Sequence, residues 1–349
     1  MCTSDFIIPD KLNMIIDGSF GSTGKGLIAS RIATQNHIDF ACTTTSPNAG
    51  HTFYHRGEKY VTHLMPVAGI IQRHSTIVFS ADSVIDLPLF FEEMREFDID
   101  PERVLIHPRA AVITEEDKRR ECEPNGLERI ASTQTGVGSA RAGKIMRSQK
   151  LVQDTPELHH YIMKCTMKSI LDNGYGIHAL VETGQGLGLD INHGLSYPYC
   201  TSRSVLPAVI LGEFGLHPRF MGNCMLSFRT FPIRVGNPTR EGQEVGNSGE
   251  FYYDSAELDF SDIGVPEERT TVTKRVRRIA SFSQEQYEYA LKMIEPSHIF
   301  LNFCNYYYHM EHEMDRLKGL SRLPTHIGVG PFPSDVYRWE ENILQRIFK

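Results

Sequence analysis

Apolar positions along this chain switch between short runs rich in β-branched residues and segments with helical spacing. Runs at 14–16, 76–79, 104–106, 177–181 and 299–301 are bounded by polar or turn-forming residues and predict strands. Residues 87–97 and 157–171 carry apolar side chains three and four apart, which predicts helices. Two more amphipathic helices are expected at 283–294, opened by Ser283 with Gln286 as a capping box, and at 335–347. Strands alternating with helices in this way predict an α/β fold, with a largely parallel central sheet flanked by helices. No internal repeat or low-complexity linker interrupts the sequence, so residues 1–349 read as a single domain with excursions. The segment 236–268, rich in Gly, Asn, Glu and Ser, is expected to form an irregular surface insertion.

Composition narrows the partners. A hydrophobic content of 40% supports a sizeable core, while a net charge of -7 argues against the basic face that nucleic acid requires. Nucleotides remain open as substrates. Seven cysteines are scattered singly, without zinc spacing, as expected in a reducing cytoplasm. The N-terminal residues lack a basic start with a long apolar core, and no run reaches membrane-spanning length. A soluble, cytoplasmic protein is expected, with no membrane partner.

The strongest local signal is Gly21-Ser22-Thr23-Gly24-Lys25-Gly26. It follows the first apolar run and precedes Leu27-Ile28-Ala29-Ser30-Arg31-Ile32-Ala33, which has helical spacing. Strand, glycine loop and helix let backbone N–H groups and a helix N-terminus meet phosphate oxygens, and Lys25 adds a mobile cation. The loop is not of Walker A type, because Ser19 and Gly26 stand where that pattern needs Gly and Ser or Thr.

Further motifs follow in order: Asn48-Ala49-Gly50-His51-Thr52, His63-Leu64-Met65-Pro66, Glu182-Thr183-Gly184-Gln185-Gly186, Tyr197-Pro198-Tyr199-Cys200-Thr201-Ser202 and Arg275-Val276-Arg277-Arg278. Taken together they resemble the adenylosuccinate synthetase family across nearly the whole chain, and within it the bacteriophage branch. The resemblance implies a fold related to P-loop NTPases, with a helical subdomain trimmed between Arg147 and Glu182. It also implies a two-step ligase reaction with Mg2+: a triphosphate phosphorylates a purine 6-oxygen, and the amine of L-aspartate then displaces that phosphate.

Family roles map onto single residues. His51 resembles the catalytic acid at the 6-oxygen, a task suited to an imidazole. Gly21, Thr23, Gly24, Lys25 and Gly26 match the donor-phosphate loop, with Lys25 on the transferring phosphate. Thr52 matches a further contact to the donor phosphates, and the Gly50 carbonyl a magnesium ligand. Asn48, Thr133, Gln185 and Thr201 match positions around the purine monophosphate. Arg147 matches an arginine that reaches the 5′-phosphate from the neighbouring subunit, which implies a homodimer. Gln134 and Thr135 replace the family's Gly and Arg beside Thr133. Val272, Thr273, Arg275 and Arg277 match the loop that binds the aspartate carboxylates, where guanidinium forks fit in bidentate fashion. Read without the resemblance, that basic run would be a solvated face.

Two departures select the branch. Ser22 stands where cellular enzymes keep an aspartate that removes the N1 proton and ligates magnesium. A small hydroxyl leaves room for a purine 2-amino group and can accept its hydrogen bond, which favours a guanine monophosphate over IMP; the resemblance implies dGMP. The identity of the replacement base stays open, with Asp17 a candidate for base or metal duty and Ser22 itself placed beside the metal. In Leu301-Asn302-Phe303-Cys304-Asn305 the cellular Thr-Lys-Leu-Asp is replaced, so that Asn305 takes the place of the guanine-reading aspartate. An amide complements adenine, which favours ATP or dATP as donor, with Gly330-Pro331 as the second wall of the base pocket. The expected product is N6-succino-2-amino-2′-deoxyadenylate, made in the host cytoplasm if the chain is phage-encoded. An IMP- and GTP-using synthetase and a non-catalytic nucleotide binder are the alternatives.

Overall fold

In the strand Lys11–Asp17, successive side chains enter two different apolar clusters, so the strand is buried on both faces. Leu12, Met14 and Ile16 pack with Phe214, Leu226 and Phe228, while Ile15 packs with Leu27, Ile28, Met225 and Phe300. Neighbouring strands alternate in the same way: Ile299 and Leu301 face the first cluster, Phe300 the second. Two covered faces are what a largely parallel sheet demands. The computed structural model describes residues 6–123, 126–309, 316–317, 319–340 and 343.

Among the described residues the sheet has nine strands, in the spatial order Val336–Arg338, His326–Gly328, His298–Asn302, Met221–Arg229, Lys11–Asp17, His178–Glu182, Phe40–Thr43, Thr76–Phe79 and Val104–Ile106. All neighbours pair in parallel except the edge pair Val336–Arg338 and His326–Gly328. The first strand is flanked by two strands that come much later in the chain, His178–Glu182 and Met221–Arg229. Connections therefore diverge at that point, and the crevice at the carboxyl ends is where such sheets bind ligands. Every major motif leaves the sheet there, from Asp17, Thr43, Glu182, Arg229 or Asn302. Among the described residues no helix is long and apolar enough to cross a membrane.

All five predicted strands form, and the helices Leu87–Glu96 and Gln284–Ile294 match their predictions. Ser283 Oγ accepts from Gln286 N at 2.9 Å, but the reciprocal bond of a full box, from the Ser283 N–H to the Gln286 side-chain oxygen, does not accompany it. The single helix expected at 157–171 is instead a 3-10 segment, Pro156–Tyr161, and a separate helix, Met167–Asn173. Extended Ile162 and a new N-cap at Thr166, whose hydroxyl accepts from Ser169 N, divide them. At 335–347 the expected helix gives way to the strand Val336–Arg338, because its backbone pairs with His326–Gly328; positions 341–342 and 344–349 lie outside the described residues. The segment 236–268 is mainly irregular, as expected, yet it is more than a surface excursion, since Tyr252, Phe260 and Ile263 are buried.

Candidate active site

The phosphate loop is curled around one carboxylate. Gly21, Ser22 and Gly24 take positive φ values of 93°, 55° and 88°, which wrap the chain over the end of its strand. Asp17, fully buried, sits inside the curl. Its Oδ1 accepts from the backbone N–H groups of Ser19 (2.8 Å) and Gly21 (3.3 Å). Its Oδ2 accepts from Thr23 Oγ1 (2.6 Å) and Lys25 Nζ (3.0 Å). With four donors in place, Asp17 offers no open oxygen as a base or metal ligand; it organises the loop. Lys25 is buried as well, and its ammonium also donates to the Gln185 carbonyl at 3.1 Å. Asn302 Nδ2 donates to the Thr23 carbonyl at 2.7 Å, fixing the loop to the neighbouring strand end. A Cβ at Gly26 would lie 2.4 Å from the Thr52 carbonyl oxygen, so close approach of the next motif excludes the Ser or Thr of a Walker loop.

His51 opens the strand His51–His55, which pairs with Glu58–Thr62 in a hairpin absent from the sequence reading. Its Nδ1 lies 3.3 Å from Glu182 Oε2, and Glu182 Oε1 accepts from Ala68 N at 2.9 Å. Both side chains are buried. A carboxylate on Nδ1 holds the N–H there, so Nε2 accepts while the ring is neutral and donates once the ring is doubly protonated. Sequence reasoning quoted Glu182 only as the start of a motif; the available signal was a carboxylate one strand end away from the Asn-Ala-Gly-His loop. Gln185, at φ 70°, donates from Nε2 to Asn48 Oδ1 at 3.1 Å, which joins two residues assigned to the purine monophosphate. The Thr201 backbone N–H is tied to the Leu189 carbonyl at 2.7 Å.

Thr133 Oγ1 stands 3.3 Å from Thr135 Oγ1, in a loop where Gln134 has φ 55°. That loop leads into the helix Val137–Ile145, at whose far end Arg147 is exposed at φ 62°. Its backbone N–H donates to the Lys144 carbonyl at 3.1 Å. Ile145 and Met146 beside it are about three-quarters exposed.

The aspartate-loop candidates form a tight turn. Thr270 N donates to the Arg275 carbonyl (2.9 Å), Arg277 N to the Glu268 carbonyl (2.8 Å), and Thr270 and Thr273 hydroxyls meet at 2.6 Å. Arg275 Nη1 and Arg277 Nε are buried without a hydrogen-bond partner among the described residues. Burial pushes the Arg277 guanidinium down to about 10, although Glu268 pulls it up. Gly50 packs against this turn, since a Cβ there would come within 2.9 Å of Thr271 Oγ1. A cavity of about 380 Å3 opens between Thr271, Val272, Thr135, Gln134 and His63.

On the donor side, Asn305 is exposed in the 3-10 segment Cys304–His309, and Gly330-Pro331 follows the strand His326–Gly328. These strands are paired, so both stretches assigned to the donor base emerge side by side. Among the described residues twelve non-glycines have positive φ, and six of them, Ser22, Gln134, Arg147, Gln185, Lys274 and Phe303, lie in these loops. Such concentration of backbone strain marks a functional site.

Comparison with known proteins identifies the family. The adenylosuccinate synthetase family model matches residues 14–174 and 156–312. An N6-succino-2-amino-2′-deoxyadenylate synthase of Salmonella phage PMBT28 is 34% identical, covering 93% of this chain and 97% of its own. The solved succinoaminodeoxyadenylate synthetase of cyanophage S-2L, bound to dGMP and dATP as an energy donor, superposes with a TM-score of 0.84. It is 33% identical over 97% of this chain and 98% of its own. An adenylosuccinate synthetase of Pyrococcus sp. is 30% identical over 80% of each chain.

Proposed function

The chain belongs to the adenylosuccinate synthetase family of C–N ligases, and we propose that it joins L-aspartate to the 6-position of dGMP at the expense of ATP or dATP. The product is N6-succino-2-amino-2′-deoxyadenylate. The observation that carries this reading is Ser22, a small neutral residue in a phosphate loop that otherwise keeps its lysine and glycines. Similarity to phage synthases over more than nine-tenths of the chain supports it.

In this reading the triphosphate first phosphorylates the 6-oxygen. The protonated His51 ring donates from Nε2 to that oxygen as charge develops, with Nδ1 held by Glu182. Lys25, held at the loop by Asp17, meets the phosphoryl group in transit. The aspartate amine then displaces the phosphate, with its carboxylates on Arg275 and Arg277 and the monophosphate held by Asn48, Gln185, Thr133 and Thr201. Among the described residues no three His, Cys, Asp or Glu side chains converge as metal ligands. Magnesium at a nucleotide site is held mainly by phosphates and water with one or two protein oxygens. The Ser22 hydroxyl and Gly50 carbonyl would be those oxygens, and the ion would neutralise phosphate charge.

A homodimer completes the site: exposed Ile145 and Met146 supply an apolar contact, and Arg147 reaches the partner's 5′-phosphate. The enzyme works in the host cytoplasm. Steady-state rates with dGMP or IMP, in wild type and Ser22→Asp, test the reading. Wild type should prefer dGMP with ATP, and the carboxylate should suppress dGMP use by filling the space of the 2-amino group. Wild-type preference for IMP and GTP would overturn the proposal.

A further inference from the structure

Arg229 ends its strand with a fully buried side chain, yet its guanidinium meets three loops of the site. Nη1 donates to the Ser22 carbonyl at 3.3 Å. Nη1 and Nη2 donate to the Glu268 carboxylate at 3.3 and 2.6 Å. The guanidinium carbon lies 4.0 Å from the ring centre of Phe303 and 5.8 Å from that of Tyr306. Glu268 closes the circuit by accepting from Tyr306 Oη at 2.8 Å. Burial works to raise the Glu268 carboxyl, but the charge and hydrogen bonds of Arg229, with Tyr306 and Arg277, hold it down at about 2.

Two details give this cluster a direction. Phe303 has φ 63°, a conformation that a bulky residue adopts only when its surroundings enforce it. Thr230 Oγ1, bonded to the Phe303 carbonyl at 2.8 Å, and the arginine stacked on the ring are the enforcing contacts. Glu268 Oε2 stands 4.0 Å from Arg277 Nε, near enough to orient that guanidinium by charge but too far to hydrogen-bond it. The Arg277 N–H therefore stays free for an incoming carboxylate, while the strong bonds of Glu268 go to Arg229.

We infer that Glu268, clamped by Arg229, is a positioning residue for aspartate: it aims Arg277 at the substrate carboxylate and links that loop, through Tyr306, to the donor-base segment. This rests on the reading of 272–277 as the aspartate loop. An arginine left to wander would lose part of its binding advantage to the ordering of its long side chain. A fixed carboxylate at its back removes much of that cost before substrate arrives.

The test uses the full-length enzyme, with aspartate, dGMP and ATP varied in turn and melting temperature recorded. Glu268→Gln should raise the aspartate KM about tenfold or more, the loss expected when a charged contact is weakened, with the dGMP KM within about twofold. Tyr306→Phe should raise the aspartate and ATP KM values together by about two- to threefold, leaving the dGMP KM unmoved. An aspartate KM unmoved in both variants, or an equal change in all three constants, overturns the inference. Should Glu268→Gln not fold, Tyr306→Phe decides by the same criterion. A wild type that does not turn over dGMP would instead sink the functional reading, so the two failures are distinguishable.

Discussion

Asp17 and Lys25 face each other inside the phosphate loop at 3.0 Å, whereas Arg275 and Arg277 each carry a buried N–H that finds no hydrogen-bond partner among the described residues. Both regions are charged and both sit at the carboxyl ends of the sheet. The difference lies in who answers the charge. In the phosphate loop every oxygen of the buried carboxylate is used, so the loop is finished before any ligand binds. In the 268–277 hairpin, donors are held in place without acceptors, an arrangement that costs free energy until something anionic arrives. One side is scaffold; the other waits for a substrate.

Stability should separate the two sides most strongly. Asp17→Ala leaves Lys25 buried without its counter-charge and frees two backbone N–H groups, which should cost about 3–5 kcal/mol in denaturant unfolding. Arg275→Ala removes a group with an unmet donor and should stay within about 1 kcal/mol of wild type. Comparable losses in the two variants would break the distinction. His51→Ala sharpens it on the kinetic side, because His51 is set by Glu182 within the prebuilt half. Its kcat should fall about 10²–10³-fold or more while substrate KM values change little, and a loss under tenfold would remove His51 from the chemistry.

The prebuilt half was also the more legible one. Runs of β-branched residues marked the five strands that were found, since doubly buried strands need nothing else. The strand Phe40–Thr43 was missed because Ala41 and Cys42 lack the β-branched apolar signal, and Met221–Arg229 because Gly222, Asn223 and Ser227 dilute its apolar character; those three meet Asn13 and Thr23 on the neighbouring strand and loop. The loop motif, His51 and the arginine pair could be read from residue type and order. Asp17's role could not: its four donors come together only when Gly21, Ser22 and Gly24 take left-handed conformations. Arg229 and Glu268 carry no motif at all, and 39 residues separate the partners of that pair.

On the unfinished side, Arg275→Ala should act almost wholly through aspartate. A hydrogen bond to a charged group is worth about 1.5–3 kcal/mol, so the aspartate KM should rise roughly 10- to 100-fold. The dGMP KM and the melting temperature should remain close to wild type. Initial rates across an aspartate series decide it, and a rise confined to the dGMP KM would move this loop to the nucleotide.

The smallest effect is expected where the side chain is least enclosed. Asn305 is exposed, at the start of a 3-10 segment beside Phe303, so it belongs to neither the saturated loop nor the buried orphan donors. Its amide can donate to adenine N1 and accept from the 6-amino group, whereas a carboxylate can only accept, as guanine's N1–H and 2-amino group require. Asn305→Asp should therefore move the ratio of kcat/KM for ATP over GTP toward GTP. Water can still reach such a position and soften the mismatch, so the shift should be of the order of tenfold rather than the much larger factors of enclosed pockets. Phe303 and Gly330-Pro331 keep their contacts in this variant, which confines the change to hydrogen-bond pattern. A ratio unchanged within twofold would place the reading of the donor base elsewhere, on the buried Asn302 or on the backbone after His326–Gly328.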